Sequence, residues 1–165
     1  MKIKHHHLLI IILLSTVILH GSWIEDPSGE KAENPISFEI LTKNIKVRNG
    51  QVSTAKIKLS VMSGYHINLY PPFTIKAGTK KGTAKFKTDL LLDKKAVAAA
   101  EKLSIKGESV YLDTKKSYTF NISTDSKAAA GKVPVEWIVT VFYCSDNDGV
   151  CFREVVIKDG KITLL

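Results

Sequence analysis

Apolar and polar residues alternate along much of the chain, which is the pattern of half-buried β-strands. The alternation is regular at residues 36–40, 55–61 and 118–122, and at 55–61 the polar positions are mostly lysines. Residues 135–144 are dense in β-branched and aromatic side chains, the types that favour strands. The pattern therefore predicts a protein built mainly from β-strands.

Turn-forming residues separate the predicted strands. Asn49-Gly50 and Pro71-Pro72 end two of them, and residues 145–149 form a polar turn after the apolar strand 135–144. Asp159-Gly160 fits a two-residue hairpin turn. Further strands are predicted at residues 65–69, 73–76, 83–87, 151–158 and 162–165.

One segment departs from the alternation. Residues 93–103 are rich in alanine and follow Asp93, which can cap the first turn of a helix. Many short strands with turn signals between them, and at most one helix, are typical of a β-sandwich. We therefore predict an all-β sandwich with one short helical insertion.

The N-terminal residues are typical of an export signal. Lys2 and Lys4 precede an apolar run of about 12 residues, which is too short to cross a bilayer comfortably as a helix. We predict an export signal at residues 1–22, a polar tether at 23–35 and a folded domain at 36–165. A membrane contact is expected only through an uncleaved signal.

Composition and charge narrow the class of protein. The chain has 165 residues, of which 44% are hydrophobic, enough for one domain with a real core. Removing Lys2 and Lys4 from the 24 basic residues leaves 22 against 16 acidic ones, a net charge of +6. Because the lysines alternate with apolar residues and only two arginines occur, we expect solvated sheet faces and no nucleic-acid binding.

Cys144 and Cys151 are the only cysteines, and in an exported domain they can form a disulfide. If Ser145 faces Val150 across the turn, the two cysteines lie opposite each other, with Cα atoms about 4.5–5.5 Å apart. That distance is close to the disulfide range of roughly 4.4–6.8 Å. Spacing alone leaves two interpretations open: an exchangeable bond at the rim of the domain, or a bond that only pins the hairpin.

Other chemistries have weaker support in the sequence. Two thiols and one histidine of the folded domain, His66, do not complete a four-ligand zinc set, and a copper site using Met62 as well would have few ligands. Asp146 and Asp148 lie between the cysteines and would disfavour a self-activated thiolate. No hydrolase triad or carboxylate pair stands out. We expect no metal and no cofactor.

Two segments together resemble a known family. Residues 63–72 (Ser-Gly-Tyr-His-Ile-Asn-Leu-Tyr-Pro-Pro) and 142–152 (Phe-Tyr-Cys-Ser-Asp-Asn-Asp-Gly-Val-Cys-Phe) are similar to the Gly-Tyr-His-Ile-Asn strand and the closing cysteine hairpin of the N-terminal domain of DsbD, the thiol:disulfide interchange protein. The similarity spans about residues 36–163. It implies an immunoglobulin-like sandwich in the periplasm whose cysteine pair takes electrons from a membrane-embedded partner and passes them to oxidised soluble proteins.

The resemblance assigns a role to particular residues. It implies that the pair forms a redox-active disulfide, and that a neighbouring strand supports it. The redox pair is Cys144 and Cys151, and the residues that match the supporting strand are Tyr65, His66 and Asn68. Tyr143, next to Cys144, is a further expected supporting residue.

The chain also departs from the family pattern at the hairpin. It has Phe142-Tyr143 where the family usually has a glutamine, and Arg153-Glu154 where prolines are common. The loop between the cysteines is one residue longer, and residues 93–103 lie near the family's disulfide-shielding loop.

The expected function is thiol–disulfide exchange in the periplasm, with a carrier of the oxidoreductase type. A partner thiolate would attack one sulfur, with Cys151 the expected target, and a second cysteine would resolve the mixed disulfide. The expected partners are thioredoxin-like or membrane-embedded thiol–disulfide proteins. The alternative is an exported immunoglobulin-like binding or scaffold module whose hairpin disulfide is purely structural.

Overall fold

The computed structural model describes residues 34–79, 84–124 and 129–165, all within the compact unit Asn34–Leu165. These residues form nine strands and one helix. In chain order they are β1 (Ile36–Ile40), β2 (Ile45–Val47), β3 (Val52–Val61), β4 (Tyr65–Ile67), β5 (Thr74–Gly78), β6 (Phe86–Leu91), α1 (Lys94–Ser104), β7 (Ser117–Thr124), β8 (Gly131–Ser145) and β9 (Cys151–Leu164).

Two sheets are formed. The first has the order β1-β3-β7-β6, and each neighbouring pair is antiparallel. The second has the order β2-β9-β8-β4, with β5 also paired to β8. Strands β4 and β5 lie one after the other along the same edge of β8, opposite Tyr143 to Ser145 and Glu136 to Thr140 respectively. The edge of β8 nearest the cysteines is therefore occupied by β4.

The alternation in the sequence is realised as alternating burial along the strands. In β3, Ala55, Ile57 and Leu59 are buried, while Lys56 and Lys58 are exposed. Apolar side chains of both sheets form one core cluster.

One contact of that core runs from sheet to sheet. Phe120 of β7 meets Trp137 of β8 edge to face, with ring centroids 5.7 Å apart. The predicted all-β sandwich with one short helical insertion is confirmed.

The predicted helix is also confirmed, as α1. The Asp93 side chain accepts hydrogen bonds from the backbone N–H groups of Lys95 and Ala96, at 2.9 and 3.4 Å. These bonds satisfy N–H groups that have no partner within the helix. The helix buries Ala100 and leaves most of its other side chains partly or fully exposed.

The predicted hairpin turn at Asp159-Gly160 is wrong. Both residues lie inside β9, where Asp159 pairs with Glu136 and Gly160 with Val135 of β8. A Cβ atom at residue 160 would lie only 2.1 Å from Nε1 of Trp137. The glycine is thus needed because the indole ring lies on its backbone, and not because the chain turns.

Some predictions fall on residues that the structure does not describe. The predicted export signal at 1–22 and residues 23–33 of the predicted tether are outside the described ranges, as is Thr83 of one predicted strand. Among the described residues, no helix has the length and apolar character needed to cross a membrane.

Candidate functional site

The candidate site is the end of the β8–β9 hairpin. The Ser145 N–H donates to the Val150 carbonyl at 2.9 Å, and the Gly149 N–H donates to the Ser145 carbonyl at 3.1 Å. Gly149 has a φ of +68°, which glycine adopts without the steric cost that other residues meet. The turn therefore places Cys144 opposite Cys151, as the sequence predicts.

Cys144 and Cys151 form a disulfide, with their Cα atoms 4.0 Å apart, closer than the separation of about 4.5–5.5 Å expected for an opposed pair. The two residues differ in accessibility: Cys144 is 5% exposed, whereas Cys151 is exposed. An attacking thiolate from outside can therefore approach Cys151 more easily than Cys144.

Strand β4 lies directly beside the disulfide. Its register places His66 opposite Cys144, Tyr65 opposite Ser145 and Ile67 opposite Tyr143. Because β4 contains the Tyr-His-Ile segment of the sequence motif, its pairing with β8 brings the expected supporting residues to the cysteine pair.

Asn68 follows β4 and contacts a sulfur directly. Its Nδ2 lies 3.2 Å from Sγ of Cys144 and donates to it, and its backbone N–H donates to the Phe142 carbonyl at 2.8 Å. On the other side, Asn68 forms a β-bridge with Tyr111. Among the residues that the structure describes, the side-chain amide of Asn68 is therefore the group that donates a hydrogen bond to the sulfur of Cys144.

His66 contacts the turn between the cysteines. Its Nε2 lies 3.0 Å from Oδ1 of Asp146, and its ring stacks on Tyr111 with centroids 4.5 Å apart. The Asp146 N–H also donates to the Gly64 carbonyl at 2.9 Å. These contacts tie the turn to β4, so the turn and the strand form one unit at the tip of the sandwich.

Aromatic rings pack on the other side of the hairpin. Tyr65 meets Tyr143 edge to face at 5.7 Å, and Tyr143 stacks on Phe152 at 5.4 Å. Burial, and then the charge of Glu154 and the proximity of Tyr65, raise the pKa of the Tyr143 hydroxyl. Tyr143 therefore stays neutral at physiological pH and acts here as a packing residue.

The turn carries negative charge next to the disulfide. Asp148 accepts a hydrogen bond from the Val150 N–H at 3.1 Å, and this bond, followed by one from the Ser145 side chain, lowers the pKa of its carboxyl group. Asp146 adds a second carboxylate in the same turn. An ionised carboxylate beside a sulfur disfavours a thiolate there.

Tyr111 is a site residue that the sequence analysis did not identify. It lies in a polar stretch with no alternation, and it reaches His66 because residues 110–112 run antiparallel to residues 67–69, at the end of β4. The Leu69 N–H donates to the Val110 carbonyl, and the Leu112 N–H donates to the Ile67 carbonyl, both at 2.8 Å. No local signal in the sequence indicates this long-range pairing.

Helix α1 contacts a different part of this edge. Its Glu101 accepts a hydrogen bond from the Tyr70 hydroxyl at 2.9 Å, and this contact raises the pKa of Tyr70. The helix also lines a cleft of about 460 Å³ together with residues of β5 and β6. The segment that follows the helix, and not the helix itself, supplies the ring beside His66.

Metal ligands do not gather in the part of the chain that the structure describes. Within residues 34–79, 84–124 and 129–165, no group of three or more histidine, cysteine and carboxylate side chains is positioned to hold an ion. Met62, which the copper alternative would use, is 44% exposed.

The fold and the site together define an all-β sandwich with a half-exposed disulfide at a hairpin end. No protein-family model matches the chain, and no curated protein matches it. A solved structure of a family 123 glycoside hydrolase from Clostridium perfringens, described for glycolipid glycan hydrolysis, is similar over 80% of this chain and 27% of its own, with a TM-score of 0.37 and 11% identity. At that TM-score the likeness supports no argument about fold or function, and this chain spans about a quarter of that protein.

Proposed function

We propose that this chain is an exported thiol–disulfide exchange domain that passes reducing equivalents between protein partners through Cys144 and Cys151. The observation that carries the proposal is the unequal exposure of the two cysteines in one bond: Cys151 is exposed and Cys144 is 5% exposed. An exchangeable disulfide needs one sulfur that a partner can attack and one that leaves and later returns.

The proposed reaction conserves the number of disulfide bonds at each step. A partner thiolate attacks Sγ of Cys151, the bond to Cys144 breaks, and Cys144 leaves as a thiolate. A second thiolate of the partner then attacks the mixed disulfide and releases Cys151, so the partner becomes oxidised and the pair reduced. The reduced pair repeats this exchange in reverse on an oxidised protein.

The similarity of residues 63–72 and 142–152 to the N-terminal domain of DsbD supports the same proposal. These two segments are distant in sequence, yet β4 and β8 are hydrogen-bonded neighbours. On this proposal the domain acts in the periplasm, and its partners are thioredoxin-like or membrane-embedded thiol–disulfide proteins.

One observation favours the alternative, a binding or scaffold module with a structural disulfide. The hairpin turn is already closed by hydrogen bonds of Ser145 with Val150 and Gly149, and Asp146 is bound to β4 through His66. A bond placed across such a turn and half buried would pin the hairpin without being exchanged.

A trapping experiment with two matched variants tests the proposal. In Cys144→Ser the exposed thiol of Cys151 remains without its resolving partner, so mixed disulfides with partner proteins should accumulate in the cells that make it. In Cys151→Ser the remaining thiol is buried, and we expect far fewer adducts. Equal trapping by both variants would contradict the assigned order of attack, and no adducts with either would contradict the exchange function.

A further inference from the structure

Cys144 is almost completely buried, and its sulfur lies against a polar side chain. The residue is 5% exposed, and both heteroatoms of the Asn68 side-chain amide lie close to its Sγ, with Nδ2 at 3.2 Å and Oδ1 at 3.4 Å. A thiolate that water does not solvate needs a hydrogen-bond donor from the protein. Asn68 is in position to supply one.

The position of Asn68 is fixed by backbone hydrogen bonds on both sides. Its N–H donates to the Phe142 carbonyl of β8, while the next residue, Leu69, donates to the Val110 carbonyl. The main chain at Asn68 is thus held between β8 and residues 110–112. A donor held in this way needs little reorganisation when charge develops on the sulfur.

We propose that Asn68 is a catalytic residue of the exchange reaction and stabilises Cys144 as the leaving thiolate. The proposal rests on the proposed function and assigns a role to one further group in it. When an incoming thiolate bonds to Cys151, the sulfur–sulfur bond breaks and its electron pair stays on Cys144. The N–H of Asn68 then donates to that negative sulfur.

A side-chain amide is suited to every state of this sulfur. Its N–H donates to the disulfide sulfur and, more strongly, to a thiolate, because hydrogen bonds to charged groups are stronger than neutral ones. Its carbonyl oxygen accepts from the S–H of a protonated thiol. Since the charged bond is the stronger one, the amide favours the thiolate form and lowers the barrier to its departure.

Other ionisable groups also lie near Cys144. His66 of β4 lies opposite it and is bound to Asp146 of the turn, while Tyr111 stacks on the His66 ring. Asp148 is the remaining carboxylate of the turn. Because the same groups are present in every Asn68 variant, a difference between variants reports on the amide.

The test compares Asn68→Leu and Asn68→Asp with the wild type, using dithiothreitol as the attacking thiol. Leucine is similar in size but removes the donor, so reduction should be roughly three- to tenfold slower. Aspartate keeps the shape and adds a negative charge, so its reduction should be slower than that of the leucine variant. If Asn68 served packing alone, aspartate, which has the same shape as asparagine, would slow reduction less than leucine does.

Tyr70→Phe is the matched control. Tyr70 lies two residues after Asn68 in the chain, and its replacement removes the hydrogen bond to Glu101 without changing a contact of the sulfurs. It should be reduced at the wild-type rate. Leucine and aspartate variants that are also reduced at that rate would overturn the proposal, as would an aspartate variant faster than the leucine variant.

A second measurement uses the reduced wild-type protein and does not depend on how the variants fold. The NMR signals of the Asn68 side-chain amide should shift with pH together with ionisation of the Cys144 thiol, and amide signals that ignore that ionisation would overturn the proposal. The same titration can be made on the Asn68→Leu and Asn68→Asp proteins if they fold. In them the pKa of the Cys144 thiol should rise, so that the thiol becomes roughly ten times less acidic.

The proposed exchange function and the proposed role of Asn68 can be contradicted independently of each other. Dithiothreitol reacts whether or not a physiological partner exists, so a missing partner in cells would count against the proposed function alone. A leucine variant with the wild-type rate and thiol acidity would count against the role of Asn68 alone.

Discussion

Two side-chain contacts shape the β8–β9 hairpin. Within the paired strands, Trp137 lies on the backbone of Gly160, which leaves no space for a Cβ atom. Beside the turn, Asn68 lies against the sulfur of Cys144. The first contact serves the core, and the second serves the candidate site.

Gly160→Ala should destabilise the domain by about 1–3 kcal/mol, because the added methyl group overlaps the Trp137 indole inside a packed region. Urea unfolding of the oxidised protein measures the change. Gly78→Ala is the matched control: it lies in β5, and its Cβ would meet Ile138 at an ordinary 3.6 Å. The control should change stability by less than about 1 kcal/mol, and equal losses in both variants would contradict the assigned contact.

At the scale of single elements, the ionised carboxylate of Asp148 stabilises the turn between the cysteines. The hydrogen bond from Val150, and then that from Ser145, lower the pKa of Asp148 below its ordinary 3.8. A lowered pKa means that the folded state prefers the charged form. The resulting stabilisation is present above pH 3.8 and is lost as the pH falls through the lowered value.

Asp148→Asn should therefore lower the melting temperature at neutral pH, and the difference from the wild type should shrink in acid. Asp113, whose pKa is also lowered, by the Lys116 side chain and then the Lys115 N–H, is unchanged in the variant and cancels in the comparison. Melting followed by circular dichroism from neutral to acidic pH measures the difference. A gap that stays constant or widens in acid would contradict the role of the charge.

Helix α1 depends on its cap because it buries little. Asp93→Ala should cost about 1 kcal/mol, since the N–H groups of Lys95 and Ala96 lose their acceptor. Asp93→Asn keeps a side-chain oxygen at the same place and should be nearly neutral. Denaturant unfolding compares the two, and equal losses would show that the negative charge matters and the capping bond does not.

The sequence predicts elements well where burial alternates over many residues. β1, β3, β7 and β8 follow the apolar pattern closely, because each has one face in the core. β2 has only three residues, too few for a pattern, and it forms because it pairs in parallel with the end of β9. Its existence depends on a distant partner that local residues do not encode.

The candidate site also has some features that the sequence predicts and others that it does not. The cysteine register follows from turn length, and Asn68 and His66 come from a motif beside the pair. Tyr111 lies beside His66 because residues 110–112 bond to residues 67–69, a long-range pairing that no short pattern predicts. The Asp159-Gly160 turn is wrong for a related reason: its glycine serves a contact with a distant tryptophan.

At the scale of the whole molecule, the sandwich should not need its disulfide to fold. The ring closed by Cys144 and Cys151 spans eight residues, and chain entropy gives it a contribution of about 2.5 kcal/mol. Apolar residues from both sheets fill the core independently of this bond. The proposed exchange function requires a domain that remains folded in its reduced form.

The double variant Cys144→Ala, Cys151→Ala should therefore remain folded and lose about 2.5 kcal/mol or less relative to the oxidised protein. Circular dichroism reports the fold, and urea unfolding reports the loss. The reduced wild-type protein serves as the control, because it lacks the bond but keeps both sulfur atoms. An unfolded double variant would indicate that the disulfide is a structural requirement.

The reduction potential of the Cys144–Cys151 bond tests the central claim most directly. Equilibration of the purified domain with glutathione buffers, read out by thiol alkylation, gives the potential without any knowledge of the partner. An exchangeable bond should have a potential near −200 mV, whereas a structural bond lies below about −300 mV. A value near −200 mV is the predicted result, and a value below −300 mV would contradict the exchange function.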